Sequence, residues 1–320
     1  NRTITYVNEK GEEVAKKVTD KVTFTREAKI NSVTGEITYG NWTAKDGDTT
    51  FDKVESPVVK GYILKDAKQK EVAATTGLTA DSKDENIEVV YTKLGSWIPK
   101  VPEGSTPVPP VTYPNDPKDP TKPGTDKPKV PYIPGTTPVV PKDPTKPISP
   151  DNPLVPLTPV DPNDPTKGYE VPGLPTDPTE NTTITYVKDG SQVAVVHFIE
   201  VNSETDKTEK GAVAESVVDT GDTGKAFTKV ADVTATIEAL KAKGYTVVEN
   251  NYPTDGTFDA DSKTNQVYKV LVTAKPITVN PNDPTPTKDQ PIDPNNPTGP
   301  KWTPELIKEL EDGRKEEVKR

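Results

Sequence analysis

The decapeptide QVAVVHFIEV, Gln192 to Val201, is rich in Val and Ile and reads as a strand, and its place in the fold is decided against a rival. That rival is TITYV at Thr183 to Val187, which repeats the TITYV at Thr3 to Val7. If TITYV opens both modules, the chain is a duplication. If QVAVVHFIEV is the true first strand, the second TITYV is only a lead-in. The decapeptide is longer and more apolar, so it is preferred. The repeated pentapeptide then marks a reused strand-and-turn opening rather than two identical modules.

Outward from this strand, Val230, Val233, Ile237 and Leu240 recur at helical spacing. Asp232 lies early and Lys241 and Lys243 late, as the helix dipole favours, and Gly244 ends the run. The segment KGY at Lys243 to Tyr245, the segment ADSK at Ala260 to Lys263 and a closing β-rich run at Val267 to Thr273 complete a module of strands, helix, strands. That is a β-grasp order, in which one helix covers a small mixed sheet.

The first module carries the same landmarks. TITYV is followed by a turn at Asn8 to Gly11, and Val18, Val22, Phe24, Ala28 and Ile30 continue mostly at strand spacing. A hairpin turn at Val33-Thr34-Gly35-Glu36 returns through Ile37, Tyr39 and Trp42. Then come KGY at Lys60 to Tyr62, ADSK at Ala80 to Lys83 and a closing strand at Ile87 to Thr92. TITYV and ADSK are equally spaced in both copies, while KGY shifts, which indicates matched architecture with different middles.

Proline divides the chain. It is sparse in residues 1–95 and 181–276 and dense in 96–180 and 277–300, and residues 301–320 form a separate tail. From Pro138 to Pro165 it falls on every third position, the repeat of polyproline II, and KDPTKP occurs at Lys118 to Pro123 and Lys142 to Pro147. The expectation is an extended connector, on the order of 250 Å if its roughly 80 residues were fully drawn out. Leu154, Val155, Leu157 and Val160 are the residues expected to fold back. In the tail, Thr303 caps a helix with Pro304 at its first position, Leu306, Ile307, Leu310 and Val318 form a broken apolar stripe, and Glu311–Lys315 and Glu316–Arg320 are spaced to pair. Such a helix could run into another TITYV start.

Composition excludes several functions. Cysteine is absent, so disulfides and thiolate chemistry are excluded, and absence of methionine gives the expectation that the sequence is a segment of something longer. A net charge of -10 opposes nucleic acid and anionic membrane partners. His197, the single histidine, sits inside an apolar strand and reads as structural. Gly221 to Lys225 resembles a phosphate loop but has Asp219 and Ala226 where such a loop needs Gly and Ser or Thr, so it reads as a turn. Asp259, Asp261 and Asn265 alternate as calcium ligands do and are the candidate metal residues, although Lys263 interrupts them. Asp46, Asp48 and Asp52 form a similar loop. No catalytic constellation stands out, and no cofactor other than calcium is suggested.

The segments RTITYVNEKGEEV, KVTFTREAKINSVTGEITYGNW and SPVVKGY resemble a Mub-type module of the mucus-binding repeats found in surface adhesins of lactobacilli and related Gram-positive bacteria. VVHFIEV and ALKAKGYTVVENNYPTDGTFDADSK resemble the companion mucin-binding domain, and YPNDPKDPTKPG and VDPNDPTKGYEVP resemble connectors of that family. The resemblance implies ubiquitin-like β-grasp modules in a tandem array, anchored to the cell wall outside this segment and binding host mucin glycoproteins. It also leaves immunoglobulin binding open. The fold expectation is therefore mainly β with α+β: two small β-grasp modules, a long connector and a C-terminal helix, in a monomeric, non-enzymatic chain. Either the modules bind mucin glycans or the repeat is a spacer for a binding tip elsewhere. Aromatic rings exposed beside polar loops would favour the first, because sugar rings pack on aromatic faces.

Overall fold

The computed structural model describes residues 1–318. The chain divides into two units, one made of Asn1–Val101, Thr106–Pro131 and Pro159–Ile184, the other of Pro102–Ser105, Tyr132–Thr158 and the residues from Thr185 onward. It is mainly β, with two α-helices among the described residues.

In the first unit, β1 (Arg2–Asn8), β2 (Glu13–Asp20), β3 (Ala28–Ile30), β4 (Ile37–Tyr39), β5 (Tyr62–Leu64) and β6 (Glu85–Lys93) follow in sequence. Four of them make one sheet in the order β2-β1-β6-β5. β1 and β6 are parallel, from Arg2 opposite Glu85 to Asn8 opposite Tyr91, while β2 and β5 are antiparallel to their neighbours. Alternation along β1 sends Ile4 and Tyr6 into a core with Leu64, Val72, Val89 and Tyr91, and leaves Thr3 and Thr5 half-buried. Arg2, buried at the start of β1, donates to the carbonyls of Ala73 and Asp52 and lies 5.5 Å from the Phe51 ring centroid. It thereby ties the irregular middle of the module to its central strand.

In the second unit, β7 (Gln192–Val201), β8 (Glu209–Gly221), α1 (Val230–Ala242), β9 (Tyr245–Asn250) and β10 (Gln266–Ala274) give a sheet of order β8-β7-β10-β9, again with a parallel central pair. QVAVVHFIEV is thus the first strand of this module. The second TITYV lies in the strand Thr182–Lys188, whose later residues pair with Thr136–Val139 instead. Val233 and Leu240 of α1 pack on Ala194, Val196, Phe198, Val270 and Val272. The buried carboxylate of Asp219 accepts the backbone N–H groups of Thr228 and Lys229 at 2.8 and 3.1 Å, organising the entry to a helix that has no side-chain cap of its own. Gly244, at φ 105°, turns the chain out of the helix into β9.

Residues 96–180 depart from the expected continuous extended rod. They contain short strands and are divided between the two units. In Asp119-Pro-Thr121, Asp143-Pro-Thr145 and Asp177-Pro-Thr179, the Asp Oδ1 accepts both the backbone N–H and the hydroxyl of the Thr two residues on, at 2.9 to 3.0 Å and 2.5 to 2.6 Å. Asp164 and Thr166 make the same pair of bonds. These turns bend a sequence whose proline spacing alone reads as polyproline II. The Thr hydrogen bonds hold the carboxyls of Asp119, Asp143 and Asp177 below the ordinary carboxylate range.

The apolar residues between the turns go into core. Trp97 is buried, donates from Nε1 to the Pro172 carbonyl at 3.2 Å and meets Tyr113 edge-on at 4.9 Å. Asn115 fastens this segment to the first module: its Oδ1 accepts from Gly61 N at 2.7 Å and its Nδ2 donates to the carbonyls of Val59 and Tyr62 at 2.9 and 2.8 Å. In the second unit Asn152 binds the turn Asp143–Pro147 in the same manner. Of the residues expected to fold back, Leu157 is buried, Leu154 and Val155 are half-buried in a strand, and Val160 is exposed. The later proline-rich segment also doubles back, with Pro291 opposite Lys301 and Asn296 Nδ2 donating to the Ala242 carbonyl at the end of α1.

α2 (Pro304–Val318) begins as expected, with Thr303 Oγ1 accepting from Leu306 N at 3.2 Å. The Glu311–Lys315 and Glu316–Arg320 pairs, the Val318 side chain and any run into a further repeat lie outside the described residues.

If the connector is part of the first unit, Asn115→Ala should lower that unit's stability by about 2 kcal/mol, because half-buried backbone groups of the Val59–Tyr62 turn lose their partners. Thermal unfolding of the whole chain checks this. An unchanged first-unit transition would mean that the segment contributes no stability to the module.

Candidate functional site

β3 and β4 form a two-stranded ribbon that projects from the first module. Ala28 faces Tyr39 and Ile30 faces Ile37, and residues two apart on a strand share a face, so these four lie together. Below them Phe24 pairs with Ala44 and Thr25 with Thr43, which sets Arg26 across from Trp42. The hairpin is closed by Asn31, whose Oδ1 accepts from Val33 N and Thr34 N, and by Gly35 at φ 75°. Gly40 N donates to the Glu27 carbonyl at 2.9 Å and keeps the strands together where the regular pairing lapses.

Nothing in the first unit covers the apolar face. Ile30 is 66% exposed, Ile37 50%, Tyr39 57% and Trp42 50%, with Val33 at the tip 92%. Most other large aromatic residues, among them Tyr6, Tyr91, Trp97, Tyr113, Phe198 and Phe258, are buried. The Arg26 guanidinium lies 4.0 Å from the Tyr39 ring centroid and 4.5 Å from that of Trp42. Contacts of this kind are worth about 0.5–1 kcal/mol each at an exposed site, enough to bias the two rings toward one arrangement. Arg26 makes no ion pair among the described residues.

Sequence alone places Ile37, Tyr39 and Trp42 on a returning strand but not in the open, and it does not single out Arg26. Counting outward from the Val33–Glu36 turn in the register of Ile30 and Ile37 sets Arg26 opposite Asn41, and it is the lapse in pairing near Gly40 that brings it across from Trp42, a shift the sequence does not signal. Exposure has no signal either, since apolar residues on alternate positions also describe a strand packed on a core.

The other candidates have local explanations. Asp259 Oδ1 accepts from Asp261 N, and Asp261 accepts from Lys263 N and from the Thr264 hydroxyl, which holds its carboxyl below the ordinary range. Asp48 likewise accepts from Thr50 N, and Asp52 N donates to Asp20. Among the described residues, no three His, Cys, Asp or Glu side chains converge as a metal site would require. Gly224 N donates to the Phe258 carbonyl within a turn, with no phosphate cradle. A shallow apolar cleft of the first unit, between Trp97, Pro109, Val130 and Ile184, offers no polar group to orient a ligand beyond the Lys129 at its rim.

His197 is buried, with Nδ1 2.7 Å from Ser216 Oγ, and Ser216 donates to the Ile148 carbonyl at 3.0 Å. Since the hydroxyl proton goes to Ile148, Nδ1 must carry the imidazole proton. Burial first, then the Lys269 ammonium, lowers the histidine pKa from 6.5 to about 4, against a smaller opposing effect of Glu209. This triad joins the sheet to the residue 132–158 segment of its own unit and presents no base to solvent.

Residues 1–95 match the family model of the Muc B2-like domain, and residues 192–273 match that of the Mucin binding domain. None of the curated proteins matches the chain. Among solved structures, the mucin-binding domain of Spr1345 from Streptococcus pneumoniae is 33% identical, over 29% of this chain and 87% of its own, with a TM-score of 0.25. The MucBP domain of an adhesion protein from Pediococcus pentosaceus is 37% identical, over 29% of this chain and 94% of its own, with a TM-score of 0.24. Mub-RV is 35% identical over 29% of this chain and 50% of its own, with a TM-score of 0.26.

The histidine makes the second unit sensitive to mild acid. Between pH 6.5 and about 4 the unfolded chain takes up a proton that the folded one refuses, so stability rises with pH through this window and is lost as pH falls. The melting temperature of the wild type should therefore approach that of His197→Gln as pH is lowered from 7 to 4.5. A gap between the two that does not change with pH would show that the folded histidine titrates normally.

Proposed function

Because this chain belongs to the mucin-binding-domain family, we propose that it is a repeat of a bacterial surface adhesin that binds mucin glycoproteins through weak sites used many times over. The observation that carries this reading is the uncovered aromatic face of the β3–β4 ribbon, where Tyr39 and Trp42 stand in solvent while most other large rings are in core. Contiguous exposed apolar surface on a soluble domain marks an interaction site, and open rings suit the apolar faces of pyranose sugars. We further propose that both modules are β-grasp folds. The support is the shared strand order with a parallel central pair, the helix α1 filling the crossover in the second.

The chain works as a binding module without catalytic chemistry, outside the cell, as a monomer. Its candidate contact is an open ribbon face, so a single contact is weak, and affinity comes from effective concentration when a ligand offers many epitopes. That gain reaches about 10²- to 10⁴-fold in linked systems. No calcium is needed for the modules to fold, since the aspartate loops are closed by their own backbone and threonine donors.

On immobilised mucin, two or three copies of this chain joined in tandem should bind far more tightly than the single chain at equal module concentration, and deglycosylation of the mucin should abolish both signals. Equal apparent affinity would reject avidity. Absence of binding by the single chain and the tandem copies alike would leave the spacer role, and capture of immunoglobulin with no response to mucin would reassign the partner.

A further inference from the structure

We infer that the β3–β4 ribbon is a lectin-like contact for an anionic sugar, with Arg26 as the specificity residue and Tyr39 and Trp42 as the stacking surface. This rests on the mucin-glycoprotein reading and adds a location and a ligand chemistry to it. Three observations converge. Two aromatic rings on one face of the ribbon are half or more exposed. A guanidinium lies within 4.5 Å of both ring centroids, so cation and rings form one surface. That guanidinium has no carboxylate partner among the described residues, in a chain with 50 acidic residues against 40 basic ones.

The chemistry follows from these groups. Arg presents five N–H donors in a planar fork that matches the paired oxygens of a carboxylate or sulfate, and stacking on rings leaves its edge donors free. A pyranose bearing such an anion can meet the fork with its acid group and a ring with its apolar face. Charge complementarity is local. The net charge of -10 repels polyanions at a distance, but beyond about 8 Å it is largely screened at physiological salt, while the contact at Arg26 is not. A neutral sugar would use the rings and leave the fork empty. A nucleic acid depends on many phosphate contacts along its backbone, and the Arg26 fork is placed for one anion. The carboxylated and sulfated sugars share this chemistry, and separate arms of the test tell them apart.

The whole chain is titrated with a sialylated trisaccharide, a sulfated trisaccharide and their neutral parent, while the Trp42 indole N–H is followed by NMR. Mucin binding is measured in parallel by surface plasmon resonance. An acidic sugar should shift the Trp42 signal and the neutral parent should not, and whichever acid acts identifies the source of the charge. Arg26→Gln should weaken acidic-sugar binding about tenfold or more, as loss of a charge-assisted contact does, with Arg26→Lys recovering only part of it. Trp42→Ala should remove binding of the acidic sugar, read by surface plasmon resonance because this variant has no Trp42 indole to follow. The ribbon is exposed, so each variant should melt as the wild type does, and one that does not is replaced by Tyr39→Ala. Mucin binding that persists with a silent Trp42 overturns this site while the adhesin reading stands. Equal shifts with acidic and neutral sugars overturn the role of Arg26. Failure of both mucin and every trisaccharide overturns the site and the adhesin reading together.

Discussion

The parallel pairing of the first and last strands is the constraint on which each module depends. Parallel neighbours cannot be joined by a tight turn, so a long crossover must leave one end of the sheet and return to the other. In the second module the crossover holds α1, whose Val233 and Leu240 cover the sheet face carrying Ala194, Val196 and Phe198. In the first, no α-helix occurs between β2 and β5, and the crossover is built of short ribbons and 3-10 turns tied down by Arg2. The same sheet order thus yields a compact cover in one module and a projecting ribbon in the other.

A central strand apolar on both faces makes a second demand. Along β7, Ala194, Val196 and Phe198 face α1, while Val195, His197, Ile199 and Val201 point the other way and are also buried. Ile199 and Val201 cluster with Leu271, and the His197–Ser216–Ile148 chain reaches into the segment 132–158. The proline-rich segment therefore supplies cover to its unit. It does so through Asp-Pro-Thr turns, in which proline restricts the backbone and the aspartate closes the bend.

The ribbon follows from the same division of labour. Because the first crossover lacks an amphipathic helix, its strands have no apolar surface of their own to return to, and Ile30, Ile37, Tyr39 and Trp42 remain in solvent. Arg26 gives these rings a fixed companion, so the exposed face is organised without being buried. A ribbon of this kind can vary in sequence while the sheet beneath it keeps its register.

The amino-acid sequence determined β1, β6, β7, β10, α1, the hairpin turn at Val33 to Glu36 and the family resemblance, because these rest on local periodicity, capping and turn chemistry, but it left β8 at Glu209–Gly221 unread. It also ranked QVAVVHFIEV above the second TITYV, since a longer apolar run loses more by staying in water. It could not show that identical pentapeptides occupy different places: Thr3 to Val7 in a central parallel pair, Thr183 to Val187 with its end against Thr136–Val139. A strand carries no local record of its partner. The three-residue proline period was misleading for a related reason, since it runs unbroken through Asp143-Pro-Thr145 and Asp164-Pro-Thr166, where a side chain closes a bend that proline spacing does not register. Exposure of Trp42 and Tyr39 was decided by tertiary structure alone. Alternating apolar residues fit a covered strand and an open one equally well, and only the absence of a packing neighbour in space separates the two.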